Sequence, residues 1–202
     1  MKEVRIVEQK KAAMVGEYGF LAMLSHPSKE VKDAGNSKII EELAELIRKA
    51  KPKYLYTHNL ADKHETHVAT ALKVIAALRT LSPEERPEKV YGCEVWRDLD
   101  WMNDDEKVYL DCGAHPNLMR ALSAVFDSQI AGGKRYDLAA EGRRLANATF
   151  SASHACDTYS ALNYAMDLTP LMDRTVEISA YVSGFIDRFK ASVKENIGRF
   201  LS

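Results

Sequence analysis

Cysteine, net charge and long apolar runs are what this 202-residue sequence has least of. Its three cysteines, Cys93, Cys112 and Cys156, are odd in number, far apart and form no CxxC pair. That excludes a disulfide framework, points to a reducing cytoplasm, and reads the thiols as small buried apolar residues. Lys+Arg 28 against Asp+Glu 29 leaves a net charge of −1, with no long run of one sign. A nucleic-acid partner is therefore not expected. No uninterrupted apolar stretch approaches the roughly 18 residues of a membrane span. The start, Met1-Lys2-Glu3-Val4-Arg5, is charged and lacks the apolar core of a signal peptide. What is present is ordinary for a soluble globular chain: 46% hydrophobic and 28% charged residues, enough to bury one domain's core over residues 1–202.

Periodicity then divides the chain. "EVRIVEQKKAAMV" (3–15) has helical spacing, with Val4, Val7, Lys11 and Met14 on one side, and Gly16 is a natural stop. "YGFLAML" (18–24) is an apolar run of strand length, and residues 26–36 read as loop. "KIIEELAELIRKA", capped by Asn36 or Ser37, carries an apolar stripe of Ile39, Ile40, Leu43, Leu46 and Ile47 and ends before Pro52. "KYLYTH" (53–58) predicts a buried strand and "HETHVATALKVIAALRTL" a helix. "VYGCEVW" (90–96) and "KVYLDC" (107–112) predict further strands. Helices are expected over "NLMRALSAVFDSQIA", after Pro116, and over "YDLAAEGRRLANATF". A long amphipathic helix from about residue 175 closes the chain, with a break near Gly184. Strands alternating with helices predict an α/β domain built on a mainly parallel sheet.

The chemistry concentrates in "HNLADKHETHVAT" (58–70), with three histidines, an aspartate and a glutamate in ten positions. Asp62 and Glu65 are spaced as a capping box, which would put His64 and His67 in the first helical turn, on the face of Val68, Ala71 and Ile75. Both imidazoles would then face the carboxyl end of "KYLYTH", the edge where open α/β sheets bind ligands. A helix N-terminus keeps imidazole neutral, which is the form that binds zinc, and stabilises a developing oxyanion. A catalytic zinc normally takes three protein ligands and an open position, and this stretch alone does not show which residues would complete that set. His58 reads as a strand-end residue, and His115 and His154 as isolated loop residues. A different α/β hydrolase would join His58 or His115 to His64 and His67.

The order strand "YLYTH", loop "NLAD", then "HETH" opening a helix resembles the second signature of the PIG-L/LmbE-like zinc-dependent N-deacetylases. "EVRIVEQKKAA" resembles that family's Arg/Glu-rich helix, "VYGCEVW" the strand after the HxxH helix, and "ALSAVFDSQI" its Ala-rich helix ending in Ser-Gln. The resemblance implies a Rossmann-like three-layer fold and a hydrolase that removes the acetyl group from an N-acetylglucosaminyl or related small-molecule conjugate. It implies His67 as a zinc ligand and His64 as the catalytic residue that stabilises the oxyanion and protonates the leaving amine. Thr66 stands where the family carries an aspartate that orients His64, and Glu65 replaces a proline.

The family's first signature, His-Pro-Asp-Asp-Glu or a variant, supplies two zinc ligands and the general base, and it does not occur in these 202 residues. "SHPSKE" (25–30) is no substitute, because Ser28 and Lys29 offer neither carboxylate nor base. The resemblance therefore implies a family member whose N-terminal strands are missing, with apolar surface left open on "YGFLAML" and "KYLYTH". Weak or absent zinc, no activity in this chain alone, and a possible homo-oligomer follow from it. The competing expectation is a non-catalytic binding or scaffold protein that kept the fold without the metal site.

Overall fold

The computed structural model describes residues 1–201. The chain divides into two compact units, residues 1–25 with 109–163 and residues 26–108 with 164–202. Helices flank a four-stranded mixed sheet of order β1-β2-β4-β3, formed by β1 (Tyr54–His58), β2 (Lys89–Cys93), β3 (Val108–Asp111) and β4 (Leu162–Asp167). β1 and β2 pair in parallel, with His58 opposite Cys93, and β4 runs antiparallel to β2. The mainly parallel sheet expected from the sequence is thus corrected to a mixed one. β4 escaped periodicity because "LNYAMD" holds few β-branched or aromatic residues, and its strand character comes from burial of Leu162, Tyr164, Ala165 and Met166.

In the second unit, α4 (Glu65–Thr80) packs against β1 and against α3 (Lys38–Ala50). Ala71, Val74, Ile75, Ala77 and Leu78 supply its buried face, and a fully buried Ile or Leu contributes about 1.5–3 kcal/mol. Lys73 is buried among them because its ammonium donates to the carbonyls of Asp33 (2.7 Å) and Asn36 (2.8 Å). Those carbonyls belong to the turn after α2 (Ser28–Lys32), a short helix inside the expected loop. α3 ends on Lys51 in the left-handed region (φ 47°), with Pro52 next to block continuation. α8 (Ile178–Arg199) runs unbroken through Gly184, because one glycine costs a helix only about 1 kcal/mol.

The first unit holds α1 (Lys2–Val15), α5 (Pro116–Ala124), α6 (Asp127–Ile130) and α7 (Tyr136–Phe150). The expected single helix after Pro116 is interrupted at Val125–Phe126. α1 also turns its expected face outward: Val4, Val7 and Met14 are exposed, and Glu8 and Ala12 are buried. A polar anchor decides this, since Ser128 donates to Glu8 through both its backbone N–H and its hydroxyl at 2.7 Å. These bonds hold the Glu8 carboxyl below its usual pKa.

"YGFLAML" does not form the expected strand; residues 19–27 carry neither helix nor strand, and Tyr18, Phe20, Met23 and Leu24 are exposed. Apolar content alone does not make a strand where no neighbour supplies a ladder. The thiols also depart from expectation: Cys93 and Cys112 are half-buried and Cys156 is exposed. Among the described residues no helix is long and apolar enough to cross a membrane.

Candidate functional site

The carboxyl ends of β1 and β2 lie side by side, and the turn after β1 is built on Asn59. This residue is fully buried. Its N–H donates to the Cys93 carbonyl (3.0 Å), which extends the ladder by one step. Its side-chain oxygen accepts from the Ala61 N–H at 2.8 Å, closing an Asx-type turn. The chain then turns into α4, which packs against β1.

Asp62 organises the entry into α4. Its side chain is only 2% exposed. One oxygen accepts from the His64 N–H (2.8 Å) and the other meets His67 Nδ1 (2.9 Å). A carboxylate only accepts, so His67 carries a proton on Nδ1, which leaves Nε2 as the ring's ligand atom. This is the carboxylate–histidine arrangement that orients metal-binding imidazoles and raises their basicity. The expected capping box is not formed. His64 itself is the N-cap of α4, Asp62 acts two residues earlier, and the Glu65 carboxylate accepts from Lys32 Nζ (3.2 Å).

The three histidines converge. His64 is exposed, with its ring centred 5.1 Å from that of His67 and set edge-on to Trp96 at 4.7 Å. His58 stacks on His67, with centroids 3.9 Å apart and planes 4° from parallel. Burial, and then the neighbouring His67, lower the His58 pKa and keep that ring neutral. Of the other histidines, His115 is the N-cap of α5 in the first unit and His154 is exposed. His26 is held between Glu30 (2.9 Å) and Glu42 (2.6 Å), a structural engagement that leaves no ring nitrogen for an ion.

His58, Asp62 and His67 each offer a ligand atom, all within 4.8 Å of one another. The fit to a zinc ion is uneven. His67 suits it through Nε2. Both Asp62 oxygens are already engaged, one with the backbone and one with His67. The stacked His58 and His67 rings send their lone pairs along parallel planes, so no single ion lies in both planes, as imidazole ligation requires. His58 would have to leave the stack before it could bind beside His67. The arrangement as it stands offers one well-oriented imidazole ligand, backed by a carboxylate.

Three further residues belong here that sequence reasoning passed over. Glu94 comes directly after the strand pair His58–Cys93 and is 2% exposed. Among the described residues its Oε1 has no hydrogen-bond partner, and its Oε2 accepts a long bond (3.4 Å) from Trp101 Nε1. Burial, reinforced by the charge of Asp62, pushes its pKa up. Asp98, 1% exposed, and Trp96 lie in the same loop. Only the run "CEVWRDLDW" after a strand could have signalled them, and it reads as strand tail.

No curated protein matches the chain. The crystal structure of the conserved protein TT1542 from Thermus thermophilus is similar in fold, with a TM-score of 0.64 at 18% identity over 83% of this chain and 74% of that one. The PIG-L family model, described as GlcNAc-PI de-N-acetylase, matches residues 1–78, the stretch that contains His58, Asp62, His64 and His67. Over residues 1–78 the chain is therefore similar to the PIG-L family.

Proposed function

We propose that the His58–His67 segment is one wall of a zinc-dependent N-deacetylase site acting on an N-acetylglucosaminyl or related N-acyl conjugate. The observation that carries this reading is the Asp62–His67 contact at 2.9 Å, which fixes the tautomer a metal-binding histidine needs. His67 would hold the ion through Nε2. When bound, zinc supplies Lewis acidity for amide hydrolysis. His64, at the positive end of α4 and 5.1 Å from His67, is placed to donate a hydrogen bond to the oxygen that gains charge. The same ring would hand a proton to the departing amine. His58, kept neutral by burial, excludes water from one face of His67.

The 202 residues contain no His-x-Asp-Asp element. One oriented imidazole binds zinc weakly, so the chain by itself is expected to release no acetate. Cobalt titration tests the reading without relying on turnover. Weak binding through a histidine ligand, lost in His67→Ala and kept in His58→Ala, supports it. Absence of any binding favours a scaffold that kept the fold without the metal. One tight ion per chain that depends equally on His58 overturns the proposed ligand assignment.

A further inference from the structure

The loop after β2 presents one aromatic side chain in an unusual way. Glu94, Asp98, Leu99 and Met102 are all buried, yet Val95 and Trp96 between them are 47% and 37% exposed. The loop is held in this shape against local preference. Asp98 (φ 52°) and Leu99 (φ 59°) are consecutive non-glycine residues in the left-handed region, where L side chains are disfavoured. Such strain persists where the surroundings over-determine it, and it clusters at ligand clamps. Arg97 supplies one such tie, donating to the Ala61 carbonyl at 2.7 Å and pinning the loop to the turn that carries Asp62. Glu94, buried at the base of the loop, accepts from Trp101 Nε1 at 3.4 Å and so links the two ends of the loop.

The exposed indole stands beside His64. The His64 ring meets it edge-on at 4.7 Å, and the ammonium of exposed Lys63 lies over the ring, 5.5 Å from its centroid. A preformed indole at the rim of a polar site is suited to a flat ligand with one apolar face and hydroxyls at its edges. A pyranose ring has that character, since its axial C–H groups make one face apolar. An aromatic platform fixes the plane of such a ring, and the histidines beside it then select which substituent is reached.

We propose that Trp96 is the stacking platform for the pyranose ring of the substrate, with His64 set at the edge where the N-acyl substituent lies. The identity of that substituent rests on the deacetylase reading; the platform itself rests on the loop.

The test tracks the two tryptophan indole N–H signals of the 202-residue chain by NMR, assigned with Trp96→Phe, during titration with the methyl glycoside of N-acetylglucosamine. The Trp96 signal should shift and saturate while that of Trp101 stays in place. Trp96→Ala should weaken binding by roughly tenfold or more, and Trp96→Phe should restore most of it. A second titration with methyl glucoside separates the two ideas. Equal shifts from both sugars uphold the platform and count against an acetamide-directed site. If neither sugar moves Trp96 while cobalt still binds through His67, the platform is wrong and the deacetylase reading stands. Unchanged affinity in Trp96→Ala, with a folded one-dimensional spectrum, also overturns it.

Discussion

Asp62 touches two things at once, the His64 N–H and His67 Nδ1, and so couples the start of α4 to the orientation of one imidazole. Replacing it with alanine should free the His67 ring and weaken divalent-metal binding by roughly 10- to 100-fold, as read by competition with a chromophoric chelator. His67→Ala in the same assay should abolish binding, whereas Glu65→Ala should change little, since Glu65 only pairs with Lys32 at the surface. His26 supports a prediction of a different kind. Its pKa is raised by hydrogen bonds to Glu42 first and Glu30 second. The folded protein therefore binds a proton there more tightly than the unfolded chain does. That contribution to stability is complete below the ordinary histidine value of about 6.5 and is lost as pH rises through the higher folded value. Thermal unfolding between pH 5.5 and 8.5 should show the wild type losing stability relative to His26→Asn as pH rises; a constant difference would refute the linkage. At this scale the sequence was informative about His64 and His67, whose spacing on a helix start is a local property. It was silent on Asp62 as an orienting residue, because a contact between residues 62 and 67 depends on where α4 begins, two residues later than the capping-box spacing implied.

At the scale of elements, the site depends on how closely β1, β2 and the turn before α8 approach one another. Gly92 is the tight point: a β-carbon there would lie 2.8 Å from Leu168 Cδ1 and 3.3 Å from the His58 carbonyl oxygen. Leu168 is fully buried, so it has little room to yield. Gly92→Ala should cost about 1–3 kcal/mol in denaturant unfolding. It should also disturb the His58 stack, visible as a change in the His58 ring signals, while Gly142→Ala on α7, where nothing lies within 4 Å, should not. Helices α3, α4 and α7 were legible because each carries many turns of one periodicity and ends at a recognisable stop. β4 and the break between α5 and α6 were not, since both are decided by tertiary burial that "LNYAMD" and "SAVFDS" do not encode locally. The opposite error, a strand assigned to "YGFLAML", arose because an apolar run says nothing about whether a neighbouring strand exists.

For the whole molecule, the sheet order leaves β1 at one edge. Tyr54 and Tyr56 on it are 48% and 56% exposed and both lean on Tyr91 of β2, with ring centroids 6.5 and 5.6 Å apart. An open edge bearing exposed aromatics favours self-association. Sedimentation velocity should show concentration-dependent association, reduced in Tyr54→Lys/Tyr56→Lys; a monomer at all concentrations would contradict this. The similarity of residues 1–78 to the PIG-L family and the α/β class were both readable from motif order. The mixed sheet was not, because strand direction is set by long-range pairing. The most direct measurement is a long-range proton–nitrogen spectrum of the histidine rings with and without zinc. His67 should be protonated at Nδ1 before zinc is added, and the ion should then shift His67 Nε2 while leaving His58 in place. A metal-bound shift at His67 Nδ1 would mean that the Asp62 contact does not set the ligating nitrogen, and an equal shift at His58 would mean that His58 is a second ligand; either result contradicts the one-sided site.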